Sequence, residues 1–300
     1  MKKIFAIPAV LLLLNSCSET YMVIKDPPVM PSPRVLEKKP RVALALGGGA
    51  FHGIAHVGVL KVLEEAGVPI DFIVGASAGS LVGCMYADQP HADSLLGLIE
   101  TTKASNVFDF SLFRSKEGFV SGKRLQKFIR EHCHSENIEE LKIPFVAMVT
   151  DLINGKSIPL SSGPIAPSVN ASSAIPLVFE PVKMYGLTLV DGGILDNIPA
   201  DVARASGAEV VIAIDIMASH DTTIELDNFL KVGIRAILLM ANQFKSTQTA
   251  YADVVITPDL KDIPYLSGKD NMKAYEAGMK AATDALPGIK EILRSKGIMK

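Results

Sequence analysis

The sequence lacks several features that mark common classes of protein. Its 300 residues include 30 Lys or Arg and 32 Asp or Glu, so the net charge is −2 and no basic surface for nucleic acid is expected. With 48% hydrophobic and 21% charged residues, the composition argues against a disordered chain, and nothing in it suggests a repeat array. The composition favours a globular protein with a large core and no nucleic-acid partner.

A nucleotide-binding motif is also lacking, although one stretch approaches it. In VALALGGGAFHGIAHVGVLKVLEEAG, three consecutive glycines join an apolar run to a helical pattern, an arrangement that usually binds an anion through backbone N–H groups. A dinucleotide fingerprint would need glycine at Ala50 or His52, and a P-loop would need Lys and then Ser or Thr directly after Gly53. The remaining hypothesis is that the loop stabilises a charge that exists only in a transition state.

Metal-ligating and disulfide patterns are weak. His52 and His56 are one helical turn apart, but residue 53 is Gly and not the Glu of the H-E-x-x-H zinc motif, so no metal site is predicted. Cys84 lies in an apolar helical pattern, where it is either a small buried thiol or, in an exported protein, a partner for Cys133. Neither cysteine is assigned a role from the sequence.

The first residues, MKKIFAIPAVLLLLNSCSET, are typical of an export signal. Two lysines precede an apolar run that is too short to span a bilayer, and LNSC resembles a bacterial lipobox. We predict a signal peptide over residues 1–16, lipidation of Cys17 and an exported bacterial lipoprotein anchored to the membrane through its N-terminal lipid. Ser18 after the cysteine resembles the pattern sorted to the outer membrane. An ordinary cleaved signal or an uncleaved anchor is the alternative.

The rest of the chain divides into a linker and a folded part. Residues 18–40 contain five prolines and no helical or strand period, which predicts a linker. From Arg41 onward, Val- and Ile-rich runs such as VALAL, IDFIVGAS and EVVIAIDI alternate with helical stretches. Such runs predict strands buried on both faces, and therefore an α/β fold with a mainly parallel sheet between helices. Helical spacing also predicts packing helices over 224–244 and 261–300.

A candidate nucleophile follows the second predicted strand. Gly75, Ser77 and Gly79 form a G-x-S-x-G pattern between a strand and a helix, which is the context of a nucleophile elbow. A serine needs a base, and His220 is the histidine that follows the later strands in the order required by an α/β-hydrolase triad. Asp191 in TLVDGG is the alternative base, although Asp-Gly is also a common turn. The residues alone leave both bases open.

The segments GGGAFHG, GASAG and DGG, in this order, resemble the patatin-like phospholipase family. ASSAIPLVFEPV and DNIPADVARASGAEVVIAIDI are similar to further blocks of that family, so the resemblance covers about residues 41–260. It implies a three-layer α/β/α patatin-like fold in this range, and the helices that spacing predicts over 261–300 are expected to pack on this domain. One departure is His52, which stands where the family usually has Arg.

The resemblance also implies a mechanism. Ser77 is the expected nucleophile and Asp191 the general base, with an oxyanion hole from the N–H groups of Gly47, Gly48 and Gly49. No metal or cofactor is implied, and the expected substrate is a phospholipid or another lipid ester. Two other hypotheses stay open: an α/β-hydrolase esterase that uses His220, and a non-catalytic lipoprotein that binds acyl chains or a protein partner. Ser172, in NASSAIP, is interpreted as a helix cap.

Overall fold

The computed structural model describes residues 29–107, 120–217, 226–265 and 267–300, and its centre is an eight-stranded sheet. The strands are β1 (Val42–Leu46), β2 (Phe72–Ala76), β3 (Phe145–Asp151), β4 (Lys156–Leu160), β5 (Val182–Met184), β6 (Leu187–Asp191), β7 (Val210–Ile214) and β8 (Val254–Ile256). The helices are α1 (Ile54–Glu65), α2 (Ala78–Asp88), α3 (Ala92–Thr101), α4 (Ala104–Val107), α5 (Lys123–His132), α6 (Ile165–Ser172), α7 (Ala200–Ala205), α8 (Phe229–Gln243), α9 (Lys245–Thr249) and α10 (Asn271–Ser295).

The sheet is mainly parallel. Its order is β5-β6-β3-β2-β1-β7-β8, and β4 pairs with β3 in addition. The pairs β1–β2, β1–β7, β2–β3 and β7–β8 are parallel, whereas β3–β4, β3–β6 and β5–β6 are antiparallel. The predicted α/β fold with a mainly parallel sheet is therefore confirmed.

Strand β1 shows why the apolar runs in the sequence are continuous. Its residues Val42, Leu44 and Leu46 belong to a large core that also contains buried residues of α1, α2 and α10. Ala43 and Ala45 point to the opposite face, into a smaller core built with buried alanines of α7. Because successive side chains of a strand face opposite sides, a strand covered on both sides must be apolar throughout. The result is a sheet between two helical layers.

The ends of the described chain pack on this domain. The long helix α10 lies against α1, and within the predicted linker the Arg34 N–H donates to the Ser161 hydroxyl at 3.0 Å. Residues 1–28, which include the predicted signal peptide and Cys17, lie outside the described residues. Among the helices that are described, none combines the length and the apolar character needed to cross a membrane.

The two central strands bring the glycine loop and the serine together. β1 and β2 are parallel neighbours, with Leu46 opposite Gly75, so both chains leave the sheet at the same edge. Ligands of open α/β sheets bind outside the carboxyl ends of the strands. This edge is therefore the place to look for a functional site.

Candidate active site

Ser77 occupies a strained turn between β2 and α2. Its φ of 52° and ψ of −122° lie in a region that residues with a Cβ rarely adopt. The Ser77 N–H donates both to the Ser172 carbonyl at 3.1 Å and to the Ser172 hydroxyl at 3.2 Å. The turn can be this sharp because Gly75 has no side chain, since a Cβ there would collide with the Gly79 carbonyl oxygen in the first turn of α2. The structure thus builds a nucleophile elbow around Ser77.

The glycine loop lies directly beside the elbow. A Cβ on Gly48 would be 2.9 Å from Ser77 Cβ and 2.6 Å from Asn197 Oδ1, so only glycine allows this approach. The Gly47 N–H donates to the Ile214 carbonyl at 3.0 Å, and the Gly48 N–H donates to the Asn197 carbonyl at 3.2 Å. Of the three glycines named from the sequence, Gly48 and Gly49 line the cleft. The Gly47 N–H instead joins the loop to the end of β7.

Asp191 ends β6 and faces Ser77. Its Oδ1 accepts a 2.7 Å hydrogen bond from the Gly193 N–H, while the buried Oδ2 has no hydrogen-bond partner among the described residues. Ser77 is 6% exposed and Asp191 is 4% exposed. Burial raises the pKa of the Asp191 carboxyl to about 7, and the contacts with the Ser77 hydroxyl and the Gly193 N–H oppose the rise without cancelling it. A carboxyl group with this pKa can exchange protons near neutral pH.

One short segment holds both residues in place. Ser172 accepts the two hydrogen bonds from the Ser77 N–H, and the Ser173 hydroxyl donates to the Ser77 carbonyl at 3.3 Å. The next residue, Ala174, accepts from the Asp191 N–H at 2.9 Å. Residues 172–174 therefore connect the serine to the aspartate. The interpretation of Ser172 as a helix cap is wrong, because the residue ends α6 and its hydroxyl serves the elbow.

Two buried histidines support the glycine loop. His56 Nε2 is 2.7 Å from the Gly47 carbonyl oxygen, which can only accept, so Nε2 carries the hydrogen and donates. Burial lowers the pKa of His56 to about 4, and the ring is neutral at pH 7. His52 lies with Nδ1 3.2 Å from the Ile216 carbonyl and Nε2 2.8 Å from the Ile263 carbonyl. His52, at the position of the family arginine, thus braces two loops.

The cleft has a polar floor and an apolar wall. Gly48, Ser77, Asp191 and Asn197 form the floor. The wall consists of apolar and aromatic side chains, three of which come from α8: Ile175, Ile194, Met217, Ile237, Leu238, Ala241 and Tyr265. The space in the cleft and at its mouth, open solvent included, is about 320 Å³. The cleft suits an apolar ligand whose polar group reaches Ser77.

Of the two bases considered from the sequence, the structure describes only Asp191. His220, the base of the alternative triad, lies outside the described residues. Within the part of the chain that the structure describes, no three His, Cys, Asp or Glu residues are grouped in a way that could hold a metal ion. The arrangement consists of a serine, a carboxyl group and backbone amides, which are the groups needed for acyl transfer.

Comparison with known proteins identifies the family. The patatin-like phospholipase family matches residues 44–204, a range that contains the glycine loop, Ser77 and Asp191. The chain belongs to the patatin-like phospholipase family. It is 36% identical over 198 residues to an uncharacterized NTE family protein of Mycobacterium tuberculosis, a match that covers 64% of this chain and 54% of that protein.

Two eukaryotic relatives are similar over a smaller share of their own length. The human patatin-like phospholipase domain-containing protein 6 is 33% identical over 194 residues, which cover 60% of this chain and 14% of that protein. Lysophospholipase nte1 of Aspergillus fumigatus is 30% identical over 240 residues, which cover 77% of this chain and 15% of that enzyme. The chain thus corresponds to about half or less of these relatives.

A solved structure supports the fold. The crystal structure of VipD from Legionella pneumophila superimposes with a TM-score of 0.56 and 15% identity, covering 84% of this chain and 67% of VipD. At this identity the likeness concerns the fold alone. Together with the family match, it confirms the three-layer patatin-like fold predicted from the sequence.

Proposed function

We propose that this chain is a serine hydrolase of lipid esters, of the phospholipase or lysophospholipase type, with Ser77 and Asp191 as its catalytic dyad. The observation that carries the proposal is the pairing of a serine on a strained elbow with a buried carboxyl group whose pKa is about 7. A solvated aspartate has a pKa of about 3.9 and is a weak base. The raised pKa makes Asp191 a much better proton acceptor.

In the proposed reaction, Ser77 is first acylated and then released by water, with Asp191 transferring the proton in both steps. Ser77 Oγ attacks the carbonyl carbon of the ester, and Asp191 takes the hydroxyl proton as the new C–O bond forms. Asp191 then returns the proton to the leaving alcohol, and an acyl group remains on Ser77. A water molecule, activated by the same carboxylate, releases the fatty acid. Esters fit this dyad better than amides, because an amide nitrogen needs a stronger acid in order to leave.

The oxyanion that forms on the carbonyl oxygen needs donors on the other side of Ser77. Gly48 and Gly49 line the cleft, which places their amides nearest to the oxyanion. The Gly48 N–H donates to the Asn197 carbonyl at 3.2 Å, so this amide serves the oxyanion only by exchanging that bond for one to substrate. Helix α2 starts at Ala78, so the positive end of its dipole adds to the field at this point. Gly47, which was expected to donate as well, is assigned a structural role.

The dyad is tested by kinetics on a short-chain ester and by reaction with a fluorophosphonate probe. Ser77→Ala and Asp191→Asn should each lower kcat by at least about 10²-fold, and the double variant should lose no more than the worse single variant, because the two residues act as one unit. His220→Ala should keep most of the activity. The probe should label the wild type and not Ser77→Ala.

Other outcomes would favour the rival hypotheses. Loss of hydrolysis in His220→Ala with retention in Asp191→Asn would establish the triad and refute the dyad. A folded wild type that neither hydrolyses esters nor reacts with the probe, in the presence of micelles or vesicles as well, would favour the non-catalytic lipoprotein. A screen of purified protein against lipid classes would then identify the head group and chain length.

The proposal extends to the location of the protein. The signal-like segment over residues 1–16 and the lipobox before Cys17 support an exported lipoprotein that is held on a membrane, on the pattern sorted to the outer membrane. Several acyl chains on one cysteine would make attachment nearly irreversible. The full chain should fractionate with membranes, and Cys17→Ser should release it. Recovery of the processed wild type as a soluble protein without detergent would contradict this.

A further inference from the structure

We infer that Cys84 and Cys133 form a disulfide that fastens the elbow helix α2 to the end of α5. Both cysteines are free thiols in the structure. Cys84 is buried in the large core, Cys133 packs against that core, and the neighbouring Cys133 side chain is the largest cause of the raised pKa of the Cys84 thiol. They are separated by about 50 residues of chain, so only the fold brings them together. Neither residue belongs to the catalytic cleft.

Hydrogen bonds to Asp88 hold the segment that follows Cys133 against the end of α2, the helix that carries Cys84. The Asp88 carboxylate, at the end of α2, accepts from the His134 N–H at 2.9 Å, from the Ser135 N–H at 3.1 Å and from the Ser135 hydroxyl at 2.7 Å. Cys84 precedes Asp88 by one helical turn and therefore lies on the same face of α2. Cys133 directly precedes His134. The carboxylate thus fixes the backbone that carries Cys133 beside the helix face that carries Cys84.

The two thiols differ in solvent exposure, and for this reason Cys133 reacts with the oxidant before Cys84 does. Cys84 is fully buried, and the neighbouring Cys133 thiol, burial and the charge of Asp88 all raise its pKa. Cys133 is partly exposed and is the sulfur that a soluble reagent can reach. In a disulfide the Sγ atoms are about 2.05 Å apart, so the two free thiols must approach each other further for the bond to form.

The oxidant is a disulfide of low molecular weight, such as oxidised glutathione. The Cys133 thiolate attacks one of its sulfurs, which forms a mixed disulfide and releases one glutathione thiol. The Cys84 thiolate then attacks Sγ of Cys133 and displaces the second glutathione. In total, two protein thiols lose two protons and two electrons, and one glutathione disulfide becomes two thiols. The bond then fixes α2 at Cys84. This helix begins directly after Ser77, and Cys84 lies two helical turns beyond that serine.

The test uses the full chain with Cys17→Ser in every sample, so that two thiols remain. After treatment with oxidised glutathione, intact mass under non-reducing conditions should show the parent protein lighter by two hydrogens, and digestion should give a peptide pair that joins Cys84 to Cys133. Cys84→Ser should retain one glutathione on Cys133. Cys133→Ser should acquire none, because Cys84 is buried.

A second measurement tests whether the bond braces the fold. Oxidation should raise the Tm by at least about 4 °C, dithiothreitol should reverse the rise, and Cys133→Ser should show no change with either reagent. Two free thiols, or a stable glutathione adduct, in the oxidised parent protein would overturn the disulfide. A joined peptide pair without a rise in Tm would overturn its bracing role.

Discussion

The floor of the cleft and the helix α8 that covers it are built in opposite ways. The floor residues Ser77 and Asp191 are almost fully buried at the ends of strands, and neighbouring glycines leave no space for another side chain. Helix α8 buries only Ile234 and Ala241 among its fifteen residues, while Phe229 is 83% exposed and Met240 is 67% exposed. The atoms proposed to react therefore lie on the closely packed part of the molecule, and the apolar wall lies partly on a helix with little packing.

This contrast suggests that the floor positions the reacting groups and that α8 accommodates the acyl chain. Catalytic groups must be held within a fraction of an ångström of a productive geometry, which buried strands and their hydrogen bonds provide. The space that an acyl chain needs increases with its length, and a helix with few packing contacts can shift to provide that space. Changes in the floor should lower the rate on every ester, whereas changes in α8 should alter the preference among chain lengths.

Gly48→Ala should have the largest effect in the floor. The new Cβ would meet Ser77 Cβ and Asn197 Oδ1, so the loop must move away from the serine and its amides leave the oxyanion. Loss of such donors costs about 10²- to 10³-fold in kcat, and we expect a loss of this size on both short and long esters. Gly97→Ala on the surface helix α3, where a Cβ meets nothing, is the matched control and should stay within about twofold. A Gly48→Ala enzyme with near-normal kcat would show that the approach of loop and serine is unnecessary.

The pH dependence of kcat/KM should report the buried base. Because Asp191 must be deprotonated to act and its pKa is about 7, kcat/KM should reach a plateau above that pH and be about 100-fold lower at pH 5. Asp196 could produce the same break in the profile, because burial and the neighbouring Asp201 also raise its pKa to about 7. The Asp196→Asn variant is therefore the control. The profile of Asp196→Asn should keep the break near pH 7. A break near pH 4 in the wild type would mean that Asp191 is not the base.

The sequence predicts the residues of the cleft floor better than the hydrogen bonds that hold them in place. Runs of Val, Ile and Ala reveal β1, β2 and β7 because strands buried on both faces must be apolar, and Gly48 and Gly79 are recognisable because close approach demands glycine. The hydrogen bonds from residues 172–174 depend on where α6 packs, and no local period encodes that position. The same holds for the Gly47 N–H, since its partner Ile214 is on a strand far along the chain.

The contacts of His52 and His56 could not be predicted from the local sequence either. The sequence shows that His52 and His56 are one turn apart, but it does not show that their ring nitrogens face carbonyl oxygens rather than a metal or solvent. Asn197, whose carbonyl accepts from the Gly48 N–H, stands in the DNIP segment without a distinguishing signal. Supports of this kind are single contacts between distant segments, and tertiary packing alone creates them.

His56→Leu should have an intermediate effect. The substitution removes the donor to the Gly47 carbonyl and leaves that buried oxygen unpaired, which frees the loop beside Ser77. We expect kcat on a short ester to fall about tenfold, with a smaller change in KM. His56→Gln, whose amide can donate to the same oxygen, should recover part of the rate. Equal losses in both variants would assign His56 to packing and not to the hydrogen bond.

The smallest effect on the chemistry itself should come from α8, and it should depend on the substrate. Ala241 is buried and lines the cleft, so Ala241→Phe fills part of the space for an acyl chain without touching Ser77. Relative to wild type, kcat/KM should change by no more than about threefold for a two-carbon acyl ester and fall about tenfold for a sixteen-carbon one.

Ala236→Phe provides the matched control for this prediction, because Ala236 is on the same helix and exposed. It adds the same side chain outside the cleft, so the ratio of long-chain to short-chain kcat/KM should stay that of the wild type. Circular dichroism and Tm should confirm that both variants are folded. If Ala241→Phe lowers both substrates equally, α8 positions the reacting groups after all, and the division between floor and helix is wrong. If Ala236→Phe changes the ratio as strongly as Ala241→Phe, chain length is selected on the outer face of α8 and not in the cleft.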